Sequence, residues 1–327
     1  MTFPELPALP VSLQFEQVTF TALNPGRKLI VLGAVHGNEV SGSKAILKMI
    51  QEFRAGTRTL DKGQVTFVPI TNPLAYNRKQ RNGDRNLNRN LAETDQPQDF
   101  EDHVANWLCP VLRAHDVLLD LHTFAKGDRP FALFGPPNNQ GQLEPFEQQE
   151  LERGLALRLG VDRFVDGWLD TYARGVQARV EYARKTGLPT EGLNTDPRYG
   201  MGTTECMRNG GGCAVTLECG QHDDPDGPAV AYQAIENTLL YLELVEGKAV
   251  EPVKEYEHLT LTEVIDKQHV DDQFSQNWLS FNEVQKDELI GVRHSGEEVR
   301  APFKAKIVFP NPGSQAGQEW FYLARIN

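Results

Sequence analysis

Polar residues suited to binding a divalent metal follow the carboxyl ends of three predicted strands. The three junctions are Leu29–Val35 followed by His36-Gly37-Asn38-Glu39, Val117–Leu121 followed by His122, and Ala214–Leu217 followed by Glu218. In open α/β sheets, ligand-binding residues gather beyond the carboxyl ends of the strands, so side chains far apart in sequence can converge there. Two histidines and one carboxylate are the protein ligands of one class of hydrolytic zinc site, which keeps a position for water.

These junctions predict a hydrolytic zinc centre. His36 and Glu39 are three residues apart, a spacing that a strand-to-helix turn can direct at one ion, and His122 would approach from a neighbouring strand. Imidazole ligands favour zinc over magnesium or calcium. Zinc lowers the pKa of bound water towards ~7, and Glu218 is placed to act as the general base. We therefore expect one Zn²⁺ per chain, held by His36, Glu39 and His122.

The remaining polar residues around these junctions allow more than one interpretation. Asp120 precedes His122 by two residues on the same face of the strand, where it either orients a ligand imidazole or caps a nearby turn. Lone histidines more often serve as ordinary polar residues at a sheet edge than as metal ligands. We prefer that interpretation for His103, His258, His269 and His294.

An arginine-rich segment runs from Arg78 to Arg89, directly after the predicted strand that ends at Thr71-Asn72-Pro73. Guanidinium groups bind carboxylates in pairs and stabilise a developing oxyanion, as a hydrolase acting on an acidic acyl-amino acid requires. A solvated basic loop is the alternative interpretation. Arg208, ten residues before Glu218, is a further candidate clamp for a substrate carboxylate.

The elements around these residues predict an α/β fold with a mixed, mostly parallel sheet flanked by helices. Strands are expected at Val11–Thr21, Lys28–Val35, Gln64–Ile70, Asp116–Leu121 and Ala214–Leu217, and helices at Ser41–Phe53, Phe100–His115, Glu147–Arg158, Trp168–Arg184 and Pro228–Leu244. Their alternation indicates βαβ crossovers. Pro136–Gly141 and Thr186–Gly202 are rich in turn residues. A change of composition near Glu246–Pro252 predicts a catalytic domain over residues 1–248 and a small β-rich C-terminal domain over residues 249–327.

Composition excludes several classes of function. The formal net charge is −12, which provides no general attraction for nucleic acid or an anionic membrane. No apolar run approaches the ~20 residues of a membrane span, and Met1–Pro10 does not resemble a signal peptide. The four cysteines lack paired spacing, so we expect them to be reduced in a cytoplasmic protein. A homo-oligomer is left open.

These motifs together resemble the succinylglutamate desuccinylase and aspartoacylase family, a branch of the zinc carboxypeptidase-like fold. The resemblance rests on His36-Gly37-Asn38-Glu39, Asn88-Arg89, Asp120-Leu121-His122-Thr123 and Leu217-Glu218-Cys219-Gly220, and Phe309-Pro310-Asn311-Pro312 is similar to a segment of the desuccinylase C-terminal β domain. It implies a small-molecule substrate, an N-acyl amino acid such as succinylglutamate or acetylaspartate.

The resemblance also implies roles for individual residues. It makes His36, Glu39 and His122 the zinc ligands and Glu218 the general base. Arg81 is similar to the arginine that polarises the scissile carbonyl. Three further residues are similar to those that bind the substrate carboxylates, namely Asn88, Arg89 and Arg208.

Two departures from the family pattern leave the particular substrate open. Asn86 stands where the family has an aspartate that could orient the arginines, and the segment between His122 and Glu218 is longer than usual. Two alternatives to the deacylase therefore remain, a metallocarboxypeptidase acting on peptides and a non-catalytic binder of acidic metabolites.

Overall fold

The computed structural model describes residues 1–187 and 195–327, which form two compact units. The first contains residues 1–125, 129–164 and 201–256, and the second contains residues 126–128, 165–200 and 257–327. The predicted division at residue 248 stays a prediction. Part of the predicted turn-rich segment Thr186–Gly202 lies outside the described residues.

The secondary-structure elements follow the chain in this order. The helices are α1 (Ser41–Ala55), α2 (Pro73–Arg78), α3 (Phe100–Arg113), α4 (Gln149–Ala156), α5 (Trp168–Thr186), α6 (Thr203–Asn209) and α7 (Gly227–Tyr241), with a 3₁₀ helix at Pro197–Gly200. The strands are β1 (Val18–Thr21), β2 (Asn24–Leu32), β3 (Lys62–Val68), β4 (Val117–Phe124), β5 (Phe131–Leu133), β6 (Arg163–Asp166), β7 (Cys213–Gln221), β8 (Glu257–Asp266), β9 (Gln273–Phe274), β10 (Glu283–Val284), β11 (Leu289–Val292), β12 (Glu298–Arg300), β13 (Ala305–Val308) and β14 (Glu319–Ile326).

The sheet of the first unit is mostly parallel. Its strands lie in the order β1-β3-β2-β4-β7-β5. The pairs β2–β3, β2–β4 and β4–β7 are parallel, while β1 and β5 pair antiparallel with β3 and β7. The predicted α/β fold class is therefore confirmed, and the crossover topology places the carboxyl ends of β2, β4 and β7 side by side.

Helices cover both faces of this sheet, because alternate residues of each buried strand point to opposite faces. On one face, Leu29 and Val31 of β2 pack in a core with residues of α1 and α7. On the other, Ile30 and Leu32 pack in a second core with residues of α3 and α6. Burial on both faces explains why β2, β4 and β7 carry near-continuous apolar runs.

Several predicted strand boundaries are wrong. β2 ends at Leu32 instead of Val35, so three residues separate it from His36. β7 continues to Gln221, so Glu218 lies within the strand instead of after it. Asp116–Leu121 was expected to end before His122, but β4 continues to Phe124, so His122 lies within the strand. The extension follows from pairing with β7, which places His122 opposite Glu218 and Phe124 opposite Gln221. Thr123 and Phe124 are also residue types that favour strands.

The second unit contains the β-rich part of the chain. Antiparallel pairing joins β8, β14, β13 and β10, while β12, β11 and β9 form a separate three-stranded sheet. Its apolar core includes Trp278, Ile307, Trp320 and Phe321. All four cysteines of the chain are free and buried. No helix among the described residues is long and apolar enough to cross a membrane.

Candidate active site

The site lies at the carboxyl ends of three adjacent parallel strands in the first unit. Leu32 of β2 pairs with Asp120 of β4, and His122 of β4 pairs with Glu218 of β7. Directly paired residues of neighbouring strands project to the same face of a sheet. This register therefore places His122 and Glu218 side by side, next to the turn that leaves β2.

A tight turn after β2 presents the other two predicted ligands. The backbone N–H of Glu39 donates to the His36 carbonyl at 3.1 Å, and α1 begins two residues later. Gly37 lies so close to α2 that a Cβ there would fall 2.0 Å from the carbonyl carbon of Ala75. Only glycine fits at that position, so the close approach of α2 shapes the turn.

The structure brings His36, Glu39 and His122 together in one buried cluster. Glu39 Oε1 lies 3.0 Å from His36 Nδ1, and Glu39 Oε2 lies 2.8 Å from His122 Nδ1. The three side chains are at most 3% exposed, and one ligand atom from each lies within 4.8 Å of the others. His36 Nδ1 makes no well-aligned hydrogen bond, although it is buried. Two imidazoles, one carboxylate and an unsatisfied buried nitrogen are a donor set that fits zinc.

The opposite nitrogen of each imidazole is held by a neighbouring polar group. Asp120 Oδ2 lies 3.0 Å from His122 Nε2, and the hydroxyl of Thr203 donates to the same carboxylate oxygen. Asn86 Oδ1 lies 3.0 Å from His36 Nε2. Such contacts fix ring orientation in metal sites. They direct both Nδ1 atoms towards Glu39, so Asp120 orients an imidazole, the first of its two predicted roles.

Burial and neighbouring charges set the protonation of the cluster. Burial lowers the pKa of His36 to about 4, with the positive charge of Arg81 as the next cause, so its ring is neutral at pH 7. Burial alone would raise the pKa of Glu39, but His36 and His122 hold it well below its usual range. Burial opposes the charged form of His122, yet Asp120 and Glu39 raise its pKa well above the usual value. In the metal-free protein, Glu39 is therefore an anion between one neutral and one positively charged ring.

Glu218 has the properties of a proton carrier. Burial raises its pKa to about 8, and repulsion from the nearby Glu39 carboxylate acts in the same direction. Its side chain is only 8% exposed, and Oε2 has no hydrogen-bond partner. A carboxyl group with a pKa near neutrality can both accept and return a proton in one cycle.

Three of the four predicted substrate-facing residues lie at or beside the cluster. The half-exposed Arg81 donates from NH1 to Glu39 Oε1 at 2.8 Å. Asn88 Nδ2 lies 3.3 Å from His122 Nε2, and its Oδ1 accepts from the Thr203 N–H at 3.0 Å. Arg89 follows Asn88 and donates to its carbonyl oxygen at 2.8 Å.

Arg208 does not join this group. Its guanidinium group donates to Glu152 at 3.0 Å, to Glu144 at 2.8 Å and to the Ala214 carbonyl at 2.7 Å. Arg208 is only 4% exposed, and Glu205 lies 3.6 Å away. Because three carboxylates and a carbonyl surround it, Arg208 neutralises a buried acidic cluster and is not part of the proposed substrate site.

The structure adds supporting contacts whose roles the sequence motifs did not indicate. Thr203 donates to Asp120, and the Thr123 N–H donates to Glu39 Oε2 at 3.0 Å. His222, just beyond β7, lies with Nδ1 2.8 Å from the Thr123 hydroxyl. Asn86 contacts a ligand imidazole instead of orienting the arginines. The position of Asn86 in the motif was a signal for its importance, whereas Thr203 carries none.

Comparison with known proteins finds a family likeness over part of the chain. Residues 25–148 match the model of the succinylglutamate desuccinylase/aspartoacylase catalytic domain. The chain is 32% identical over 102 residues to a probable aspartoacylase from Prochlorococcus marinus. That match covers 30% of this chain and 33% of the relative, so the chain spans about a third of the curated protein it matches. The predicted family resemblance is thereby confirmed.

Solved structures share the fold over most of the chain. A succinylglutamate desuccinylase/aspartoacylase from Rhodobacter sphaeroides has a TM-score of 0.67 at 17% identity, covering 96% of this chain and 89% of that one. A succinylglutamate desuccinylase from Vibrio parahaemolyticus has a TM-score of 0.68 at 16% identity, covering 97% and 93%. The product-bound ectoine utilization protein EutE (DoeB) from Ruegeria pomeroyi has a TM-score of 0.66 at 19% identity, covering 94% and 88%. At these identities the likeness shows the fold, and it agrees with the predicted fold class.

Proposed function

From the matching catalytic segment and the geometry of its His-Glu-His cluster, we propose that the protein is a zinc-dependent amidohydrolase. It removes the acyl group from an N-acyl acidic amino acid. The observation that carries the proposal is the buried cluster of His36, Glu39 and His122, with Glu218 directly across the strand pair from His122. One zinc ion per chain would be held by these three side chains. Zinc bound there would polarise the substrate carbonyl and make water nucleophilic near neutral pH.

Side chains of the protein supply proton transfer, stabilisation of the developing charge and binding of the substrate carboxylate. Glu218 takes a proton from the attacking water and passes it to the leaving amine, because it lies directly opposite His122 and its Oε2 has no other partner. Arg81 is half exposed and already directed at the cluster, so it can share the negative charge that develops on the carbonyl oxygen. Asn88 and Arg89 bind a carboxylate of the substrate. Arginine forms paired hydrogen bonds with a carboxylate, which selects an acidic amino acid.

The test is an amino-acid release assay with metal-free protein and zinc titrated back. The substrates are succinyl, acetyl and formyl derivatives of glutamate, aspartate and neutral amino acids, with dipeptides as a separate arm. We expect zinc-dependent release from an acyl derivative of an acidic residue. Release only from dipeptides would instead establish a carboxypeptidase, and zinc binding without hydrolysis of any compound would establish a binding protein.

A variant series separates metal binding from proton transfer. Glu218→Gln should lower kcat by a factor on the order of 10²–10⁴ while zinc content remains that of the wild type. Glu246→Gln, at an exposed glutamate, is the matched control and should leave kcat unchanged. Near-wild-type turnover in Glu218→Gln would contradict the assignment of the base.

A further inference from the structure

A second cluster of metal-ligating side chains lies in the second unit, on its surface. His269, Asp271 and His294 place one ligand atom each within 4.8 Å of the others. Asp271 Oδ2 lies 3.4 Å from His269 Nδ1 and 3.7 Å from His294 Nδ1. The two imidazole rings are stacked, with centroids 4.1 Å apart and planes inclined by 19°. Considered singly, both histidines were expected to be ordinary polar residues.

Strand pairing explains why these residues meet. His269 and Asp271 lie in the loop between β8 and β9, and His294 lies in the loop between β11 and β12. β9 and β11 pair antiparallel, with Gln273 opposite Val292. Continuing that register by two residues places Asp271 across from His294. The pairing of β9 with β11 thus brings the loop before β9 next to the loop after β11.

A buried carboxylate fixes both loops from beneath. Asp272 is only 4% exposed, and its Oδ1 accepts from the His294 N–H at 2.8 Å. Its Oδ2 accepts from the backbone N–H groups of Gln268 and His269, at 2.7 and 3.1 Å, and from Arg293 NH1 at 3.0 Å. These four hydrogen bonds tie the loop before β9 to the loop after β11.

We propose that His269, Asp271 and His294 form a divalent transition-metal site. Two imidazoles and one carboxylate suit Zn²⁺, Ni²⁺ or Cu²⁺ and disfavour Mg²⁺ and Ca²⁺, which prefer oxygen ligands. The three side chains are 47%, 62% and 59% exposed, so water can complete the coordination. The only competing contact at His269 Nδ1 among the described residues is the Asp271 N–H at 3.2 Å, a long hydrogen bond that a metal would replace.

The fixed backbone makes binding less costly. Ordering loops and side chains opposes association, and a site whose backbone is already held avoids part of that cost. An ion here would join the loop before β9 to the loop after β11. The site shares no residue with the proposed catalytic centre, so it does not depend on the proposed function.

The experiment is a calorimetric titration of the full-length protein with Zn²⁺, and separately with Mg²⁺. His122→Ala serves as background, because it removes a ligand of the first cluster. In that background we expect His294→Ala or His269→Ala to weaken zinc binding at least about tenfold, because losing even a partner that orients a metal ligand costs that much. His103→Ala, at an exposed histidine on α3, is the matched control and should bind zinc as the background does.

Two results would overturn the proposal. One is the absence of zinc binding in the His122→Ala background, and the other is an isotherm that His294→Ala and His269→Ala leave unchanged. Both histidines are exposed, so their replacement should not prevent folding, which circular dichroism can verify. Failure of the proposed catalytic zinc site would give a different result from failure of this second site. The wild type and His122→Ala would then bind the same number of zinc ions per chain.

Discussion

Glu218→Gln should stabilise the metal-free protein while it lowers turnover. Burial, together with the Glu39 carboxylate, raises the pKa of Glu218 from its ordinary value of 4.5 to about 8. An acid whose pKa rises on folding binds a proton in the native state that the unfolded chain has already lost. Stability therefore falls as pH rises between those two values.

The magnitude follows from the two pKa values. Between pH 4.5 and 8, each pH unit lowers the free energy of unfolding by about 1.4 kcal/mol, so the loss reaches roughly 3 kcal/mol at pH 7. Glutamine cannot ionise and does not carry this penalty. The variant should therefore exceed the wild type by about 3 kcal/mol at pH 7 and by less than about 1 kcal/mol near pH 4.5.

Urea unfolding of chelator-treated protein at pH 5, 6, 7 and 8 measures this difference. Glu246→Gln is the control, because that glutamate is exposed and its replacement should track the wild type. Zinc added back should reduce the gap, since a nearby cation favours the ionised carboxylate. A Glu218→Gln variant no more stable than the wild type, or a gap that does not change with pH, would refute the reasoning.

Two further predictions concern positions that shape the site and its surroundings. Gly37→Ala would place a methyl group 2.0 Å from the backbone of α2. We expect the free energy of unfolding in urea to fall by about 3 kcal/mol or more, and zinc affinity to fall as well. Gly313→Ala is the control and should be nearly neutral, because its added methyl group would have its nearest atom 3.4 Å away. Arg208→Met would leave buried carboxylates without their cation and should cost about 3–5 kcal/mol at pH 8. Burial raises the pKa of Glu144, one of these carboxylates, to about 7, so the loss should be smaller at pH 5, and a loss independent of pH would contradict this account.

The grouping of His36, Glu39 and His122 was predictable because strand topology determines it. Each apolar run was long enough to indicate a strand buried on both faces, and parallel strands bring their carboxyl ends to one edge. Convergence of His36, Glu39 and His122 then depends only on β2 and β4 being neighbours, and these two strands pair directly. Placement of Glu218 beside them depends on β7 lying next to β4, and the pairing of Glu218 with His122 shows that it does.

The partners of individual polar side chains were not predictable in the same way. Arg208 was assigned to substrate because it lies near Glu218 in sequence and because the family resemblance implies that role. Its carboxylate partners Glu144 and Glu152 come from a segment some sixty residues earlier. Which acid meets which base depends on packing between distant elements. The pattern of apolar and polar residues within one segment does not predict these pairings.

The second histidine cluster was missed for a related reason. His269 and His294 are separated by 25 positions, and each is an ordinary lone histidine in its own segment. Only the β9–β11 pairing brings them together. Strands of two and four residues carry too little pattern to predict their partners.

Anomalous diffraction at the zinc absorption edge, on crystals grown with zinc, tests the central claim most directly. We predict an anomalous peak within the cluster of His36, Glu39 and His122, about 2.0–2.2 Å from one atom of each side chain. The claim would be contradicted if crystals grown with zinc showed no anomalous peak in this cluster and Glu39 still contacted both imidazoles directly.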